Sequence, residues 1–360
     1  MKRRYIIPIF LSYAGCKHRC LFCDQVSETG VVRSLLPSQL LEYIERRLSY
    51  IPPKGMGKAQ VAFYGGTFSG LSPEFQQDYL NVVRPLIENG KVDSIRMSTR
   101  PDELSSELLE IYKRYGVKTI EIGCQSMDDN ILHLNRRGHS SASVAEAVAL
   151  CKSFGFETGI HLMTGMYGAT HLSDLISAIK VADLQPDTVR IHPTLVLKNA
   201  PLEALYKKRI YKPPNLKETI ELLADELIIF WAEEIEVIRI GLYIPPEGYK
   251  NVIGGPFHPA IGQMAKGEVY YRLLSSVLNN PANSSNSFTV YASQKFFDTI
   301  RGQHNENLKR IKSRLKYVVS QIDDKIIVES GHTKKVITLN EWYKTEAIKI
   351  RTAIADKYSA

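Results

Sequence analysis

Cysteine is scarce in this chain, five in 360 residues. That is far too few for the disulfide scaffold of a small secreted domain. Long apolar runs are absent as well. The start, Met1-Lys2-Arg3-Arg4, is basic, but the apolar stretch after it extends only from Tyr5 to Leu11. This is too short for a signal-peptide core or a membrane span. A reducing, cytoplasmic setting with no membrane partner is expected. No internal repeat, coiled coil or low-complexity tract is found. Acidic residues are in deficit, 38 Asp and Glu against 46 Lys and Arg, for a net charge of +8. Such basicity permits a nucleic-acid partner without proving one. Basic clusters at Lys309-Arg310-Ile311-Lys312-Ser313-Arg314 and Lys334-Lys335 read equally as solvated helix faces.

What is present is an ordinary globular composition, 44% hydrophobic and 23% charged, long enough for one large domain with an appendage or for two domains. Three of the few cysteines are crowded into Gly15-Cys16-Lys17-His18-Arg19-Cys20-Leu21-Phe22-Cys23, with an aromatic residue before the last. Three soft ligands on one loop suit a metal centre, and the next cysteine is Cys124. A 4Fe-4S cluster takes four ligands. Three thiolates leave one iron open, and an open position marks a catalytic rather than a structural site. The alternatives are a zinc site borrowing His18, which lies awkwardly between two of the cysteines, or a disulfide framework.

Strands and helices alternate. Strands are expected at Tyr5–Leu11, Gln60–Tyr64, Ser94–Ser98, Val117–Ile122, Glu157–Met163 and Thr188–His192, with a further one at Val237–Leu242. Helices are expected at Leu36–Ile51, Pro73–Leu86, from Pro101 to about Tyr115, Asp129–Leu134, Ala142–Phe154, Ser173–Ala182 and Leu216–Glu234. This order implies a parallel sheet. So many units point to an α/β fold, a partial (β/α)6 TIM-like barrel, with the chemistry on loops after the strands. The turn-rich Asn279–Asn286 divides residues 1–280 from a small α+β appendage, 281–360. In it, strands are expected near Phe288–Tyr291, Tyr317–Ile322 and Lys325–Glu329, and helices near Glu306–Arg314 and Leu339–Ala355.

The motifs fall at strand ends. Gly65-Gly66-Thr67 lets backbone approach a ligand closely, though a paired glycine is also an ordinary turn. Ser98-Thr99-Arg100-Pro101 offers hydroxyls for a ribose and a guanidinium for a carboxylate, or equally a helix cap. Gln125 follows the fourth strand, and Arg137 lies twelve residues on, with Arg136 as its rival. The turn His161-Leu162-Met163-Thr164-Gly165 carries a glycine that can bring backbone close to a ligand. Tyr64, His161 and His192 are candidates on the substrate side. Cys124 and Cys151 read as buried apolar positions.

These segments resemble the radical S-adenosylmethionine (radical SAM) enzymes. Over about residues 5–275 they resemble the radical SAM half of the elongator catalytic subunit and, more distantly, the oxygen-independent coproporphyrinogen oxidases. The resemblance implies a 4Fe-4S cluster on Cys16, Cys20 and Cys23. Its open iron would be chelated by S-adenosylmethionine, which is cleaved to a 5′-deoxyadenosyl radical. Phe22, Gly65, Gly66, Thr67, Ser98, Arg100, Gln125, Arg137, Met163 and Gly165 would then hold the cofactor, although the family often has Glu directly after the glycine pair, where this chain has Thr67. An electron donor such as flavodoxin or ferredoxin and a tRNA substrate are implied. A small metabolite, or a non-enzymatic iron–sulfur role, is the alternative. The residues after 280 are too few for an acetyltransferase domain, and two remaining cysteines cannot hold an auxiliary cluster.

Overall fold

The computed structural model describes residues 5–52, 58–278, 287–311, 314–330 and 333–359. Its contacts group the chain into two compact units. One comprises residues 1–169, 186–213 and 242–255, the other residues 170–185, 214–241 and 256–360. The expected boundary segment, 279–286, lies outside the described residues.

The first unit is built on six strands: β1 (Tyr5–Leu11), β2 (Ala59–Gly65), β3 (Ser94–Thr99), β4 (Val117–Gln125), β5 (Glu157–Thr164) and β6 (Thr188–Pro193). They pair in chain order and all in parallel, the α/β partial barrel that the alternation implies. Side chains alternate across such strands. Val61, Phe63, Ile95, Met97, Ile120, Ile122, Ile160, Leu162, Val189 and Ile191 are fully buried on one face. That face meets the helices: the Phe63 ring lies 5.7 Å from Tyr79 on helix Pro73–Glu88. The opposite face carries Gln60, Arg96, Thr119, Glu121, His161 and Arg190, which bond to one another. Near the strand ends, β7 (Val196–Leu197) pairs antiparallel with Val252–Gly254.

The second unit contains β8 (Glu236–Ile240) and the helices Leu216–Ala232, Ile261–Leu278 and Leu339–Ser359. The first helix is opened by Asn215, whose side chain accepts from Glu218 N while Glu218 reaches back, the reciprocal cap that satisfies exposed amides. Arg272 ties the helices, with Nη1 2.6 Å from Asp225 and Nε 3.2 Å from Glu268. With Val252–Gly254 taken as β9, the remaining strands are β10 (Ser287–Ser293), β11 (Arg314–Ser320), β12 (Lys325–Ser330) and β13 (Thr333–Thr338), forming a sheet in the order β11-β10-β12-β13.

Two expected helices are corrected. The segment after Pro101 makes only a 3-10 turn, Pro101–Glu103, and the α-helix starts afresh at Ser106 under a Ser105 cap. A second cap forms because the Ser105 hydroxyl accepts from Leu108 N. The helix at Glu306 ends at Arg310, and Arg314 already belongs to β11. The sequence reading also missed Ile261–Leu278, whose apolar residues surround the helix instead of forming one stripe.

Candidate functional site

The cysteine loop leaves the end of β1. Tyr13 adopts a left-handed φ of +59° and its carbonyl accepts from Cys16 N at 3.1 Å. Cys23 N donates to Cys20 O at 3.2 Å, and Leu21 N to Asn135 O at 3.1 Å. Asp24 then caps the short helix Gln25–Thr29 and accepts from Tyr13 Oη at 2.9 Å. Phe22, expected beside a cofactor, packs against a buried cluster of Leu21, Val196, Leu202 and Tyr211.

The glycine motif braces this loop. Thr67 N donates to Ala14 O at 2.8 Å. A Cβ on Gly66 would strike Ala14 O, and one on Gly15 would strike Thr67 O. The two segments therefore touch backbone to backbone, which only glycine allows. The Gly65 carbonyl accepts from Gln25 Nε2 at 2.5 Å, and Thr67 Oγ1 lies 3.4 Å from Cys16 Sγ.

All five cysteines are unpaired with one another, so no disulfide framework forms. Among the described residues, no three His, Cys, Asp or Glu side chains converge as ligands of a single ion. The His18 ring instead lies over Gly138, where an added Cβ would come within 2.7 Å of Nε2. Three thiols carried on one loop, one of them meeting a cationic donor, fit a multi-iron cluster, whose ligands bind different irons. Burial, and next the neighbouring Cys20, push the Cys23 thiol well above its ordinary value. Bound iron would reverse that by stabilising the thiolate.

The cationic donor is Arg137. It is buried, with Nη1 3.0 Å from Cys20 Sγ and Nη2 2.6 Å from Gly123 O. Its rival Arg136 is exposed, with φ +56°. Gln125 is also left-handed, φ +71°, just past a register shift between Gly123 and Gln125. Such a backbone in a non-glycine residue is costly and recurs at functional sites. His139 Nε2 lies 3.1 Å from Cys124 O. Burial first, then Arg137 and Arg100, hold its pKa down to about 4.

The remaining candidates divide. Ser98 Oγ is buried with no hydrogen-bond partner, so it has capacity for a ligand. Arg100, expected to face a ligand carboxylate, is already paired with Asp102 through Nε at 3.0 Å and Nη2 at 2.8 Å. Gly165 is left-handed at φ +72° and its carbonyl accepts from Tyr211 Oη at 2.6 Å. Met163 is half-buried one position before Thr164.

Tyr64, His161 and His192 are brought together around a residue that the sequence reading passed over, Glu121. Its carboxylate is completely buried and accepts from Arg96 Nη1, from Arg190 Nη2 at 3.0 Å, and pairs with His161 Nε2 at 2.6 Å. Burial alone would raise the Glu121 pKa; Arg190, His161 and Arg96 together more than reverse it and hold it far below the usual range. Tyr64 Oη accepts from the same Arg190 at 2.9 Å, and burial followed by the Glu121 charge pushes its pKa up to about 12. The His192 ring stands edge-on to His161, centroids 5.7 Å apart. The signal for Glu121 was an acid in phase with Arg96 on the adjacent β3 and with Arg190 on β6, one strand further across the sheet.

Residues 10–179 match the family described as the radical SAM superfamily, and residues 186–271 match the radical SAM C-terminal domain. The chain is 26% identical over 257 residues to tRNA uridine(34) acetyltransferase of Methanocaldococcus infernus, covering 61% of this chain and 48% of that protein. It is 27% identical over 187 residues to Elongator complex protein 3 of Saccharomyces cerevisiae, covering 46% and 34%. In fold it is similar to the archaeal Methanocaldococcus infernus Elp3 with an N-terminal deletion, at TM-score 0.60 and 23% identity over 76% of this chain and 63% of that one. The chain thus spans half or less of the length of these two sequence relatives.

Proposed function

Because this chain belongs to the radical SAM superfamily, we propose that it acts on tRNA, with a 4Fe-4S cluster held by Cys16, Cys20 and Cys23 and with S-adenosylmethionine as cofactor. Held by Cys16, Cys20 and Cys23, such a cluster would supply the single electron for reductive cleavage of S-adenosylmethionine. The protein's residues do the rest. Arg137 donates toward Cys20 Sγ and offsets thiolate charge. Gly66 allows the loop to sit on the β2 end. Gln125 and Ser98, at the ends of β4 and β3, would help to hold the cofactor. Glu121 orients His161 and Arg190 beside Tyr64 and His192, and these side chains would line the substrate side. A flavodoxin- or ferredoxin-like protein is the electron donor.

The observation that carries this reading is three thiols on one loop, with a buried arginine donating to the middle one. The tRNA substrate rests on the relatives' names. The charged face around Glu121 favours one second reading, a small polar metabolite.

Anaerobic reconstitution with iron and sulfide, followed by reduction in the presence of S-adenosylmethionine, tests both. We expect 5′-deoxyadenosine to form slowly alone and several-fold faster with a tRNA transcript. Cys20→Ala should abolish it. Product from the Cys20→Ala protein would sink the ligand assignment. A rate indifferent to tRNA but raised by a small-molecule cell fraction would favour the second reading.

A further inference from the structure

The last fifth of the chain holds most of its net positive charge. Residues 287–360 contain 14 Lys and Arg against 8 Asp and Glu, a net +6 in a chain of +8. The sheet in this stretch is one-sided. Phe288, Val290, Ile326, Val328 and Ile337 are buried on one face. On the other, the register aligns two rows across all four strands. One row is Val318, Tyr291, Ile327 and Val336; the adjacent row is Lys316, Thr289, Glu329 and Lys334. No residue of either row is buried, and Val336 is 51% exposed.

The one acid among these eight side chains is engaged. Tyr291 Oη donates to Glu329 Oε2 at 2.7 Å, and Lys334 Nζ lies 3.0 Å from Glu329 Oε1. Glu329 is a diagonal neighbour of Tyr291, two residues beyond its partner Ile327. That bond ties the Tyr291 hydroxyl to the neighbouring row while the residue itself stays only half-buried. A membrane needs a broader apolar surface than one row, and a protein partner generally needs a desolvated anchor pocket. A strip of ring and methyl groups bordered by lysines suits bases that stack while their phosphates pair with cations.

We propose that the outer face of the β11-β10-β12-β13 sheet docks an unpaired stretch of RNA, with Tyr291 as the stacking platform and Lys316 toward the phosphates. The choice of RNA over DNA rests on the tRNA reading above.

The test is fluorescence anisotropy on the full, reconstituted protein, with a labelled twelve-residue oligouridylate, the matching deoxy-oligonucleotide and a tRNA transcript. Tyr291→Ala should weaken oligouridylate binding roughly tenfold, the loss of one stacked base. Lys316→Glu, at an exposed position, should flatten the salt dependence by about 0.7 or more in log–log slope. RNA-independent 5′-deoxyadenosine formation should be unchanged in both, which shows that the fold persists. Binding as tight in both variants as in the parent would overturn the surface, as would a preference for the deoxy strand, or self-association in place of RNA binding. Should tRNA stimulate turnover equally in parent and Tyr291→Ala, this surface falls while the tRNA reading stands. Should the variants lose RNA binding while tRNA leaves parental turnover unchanged, the surface stands and the tRNA reading falls.

Discussion

Arg137 serves two acceptors from one planar guanidinium, the Cys20 sulfur and the Gly123 carbonyl. A lysine is a single point donor and cannot span both. Hydrogen bonds and positive charge near cluster sulfurs raise the reduction potential. Arg137→Lys is therefore expected to lower the midpoint potential of the reconstituted cluster, read by a redox titration followed by electron paramagnetic resonance. An unchanged potential would mean that Arg137 does not touch the loaded site. The cysteine loop was legible because three of five cysteines fall within eight residues. The choice of Arg137 over Arg136 rested on resemblance alone, since the two are consecutive in the chain. The left-handed backbone at Arg136 and the turn around Gly138 turn one outward and bury the other.

At the scale of elements, the site depends on two segments far apart in sequence meeting without side chains between them. In Gly66→Ala the new methyl would meet Ala14 O and Leu11 O. Backbone cannot yield as a flexible side chain does, so a loss of about 1–3 kcal/mol is expected. Urea unfolding measures it, and iron content after reconstitution should fall with it. The strands make a second prediction. Glu121→Gln removes the one carboxylate among Arg96, Arg190 and His161. Breaking a buried ion pair from one side costs about 3–5 kcal/mol, and a loss under 1 kcal/mol would contradict the network. The order of strands was readable from alternating apolar and turn residues. Glu121 was not, because an acid inside an apolar strand gains meaning only when its cross-strand neighbours are fixed. The helix Ile261–Leu278 escaped for a related reason: it is buried on several sides, so no amphipathic stripe announces it.

For the molecule as a whole, acid should be more damaging than mild base. His139 carries a folded pKa of about 4, against an ordinary value near 6.5. The unfolded chain takes up this proton first, so the stability it contributes is present above about 6.5 and is lost as pH falls toward 4. The loss reaches up to about 3 kcal/mol. Glu121, held below the usual carboxylate range, adds a second loss at lower pH. Urea titrations of the cluster-free protein between pH 7 and 4 should show the decline. His139→Gln should remove its upper part; a decline unaltered by that substitution would refute the assignment.

The primary structure by itself determined the cysteine loop, the order of strands and helices, and the excess of positive charge. Each is written in local spacing or in composition, and both survive without knowledge of distant contacts. Tertiary structure alone decided which arginine meets the thiol, that Glu121 joins His161 to Arg190, and that Tyr291 lies in one row with three aliphatic side chains. Those are relations between residues tens of positions apart, and they exist only once strand register brings the backbones side by side.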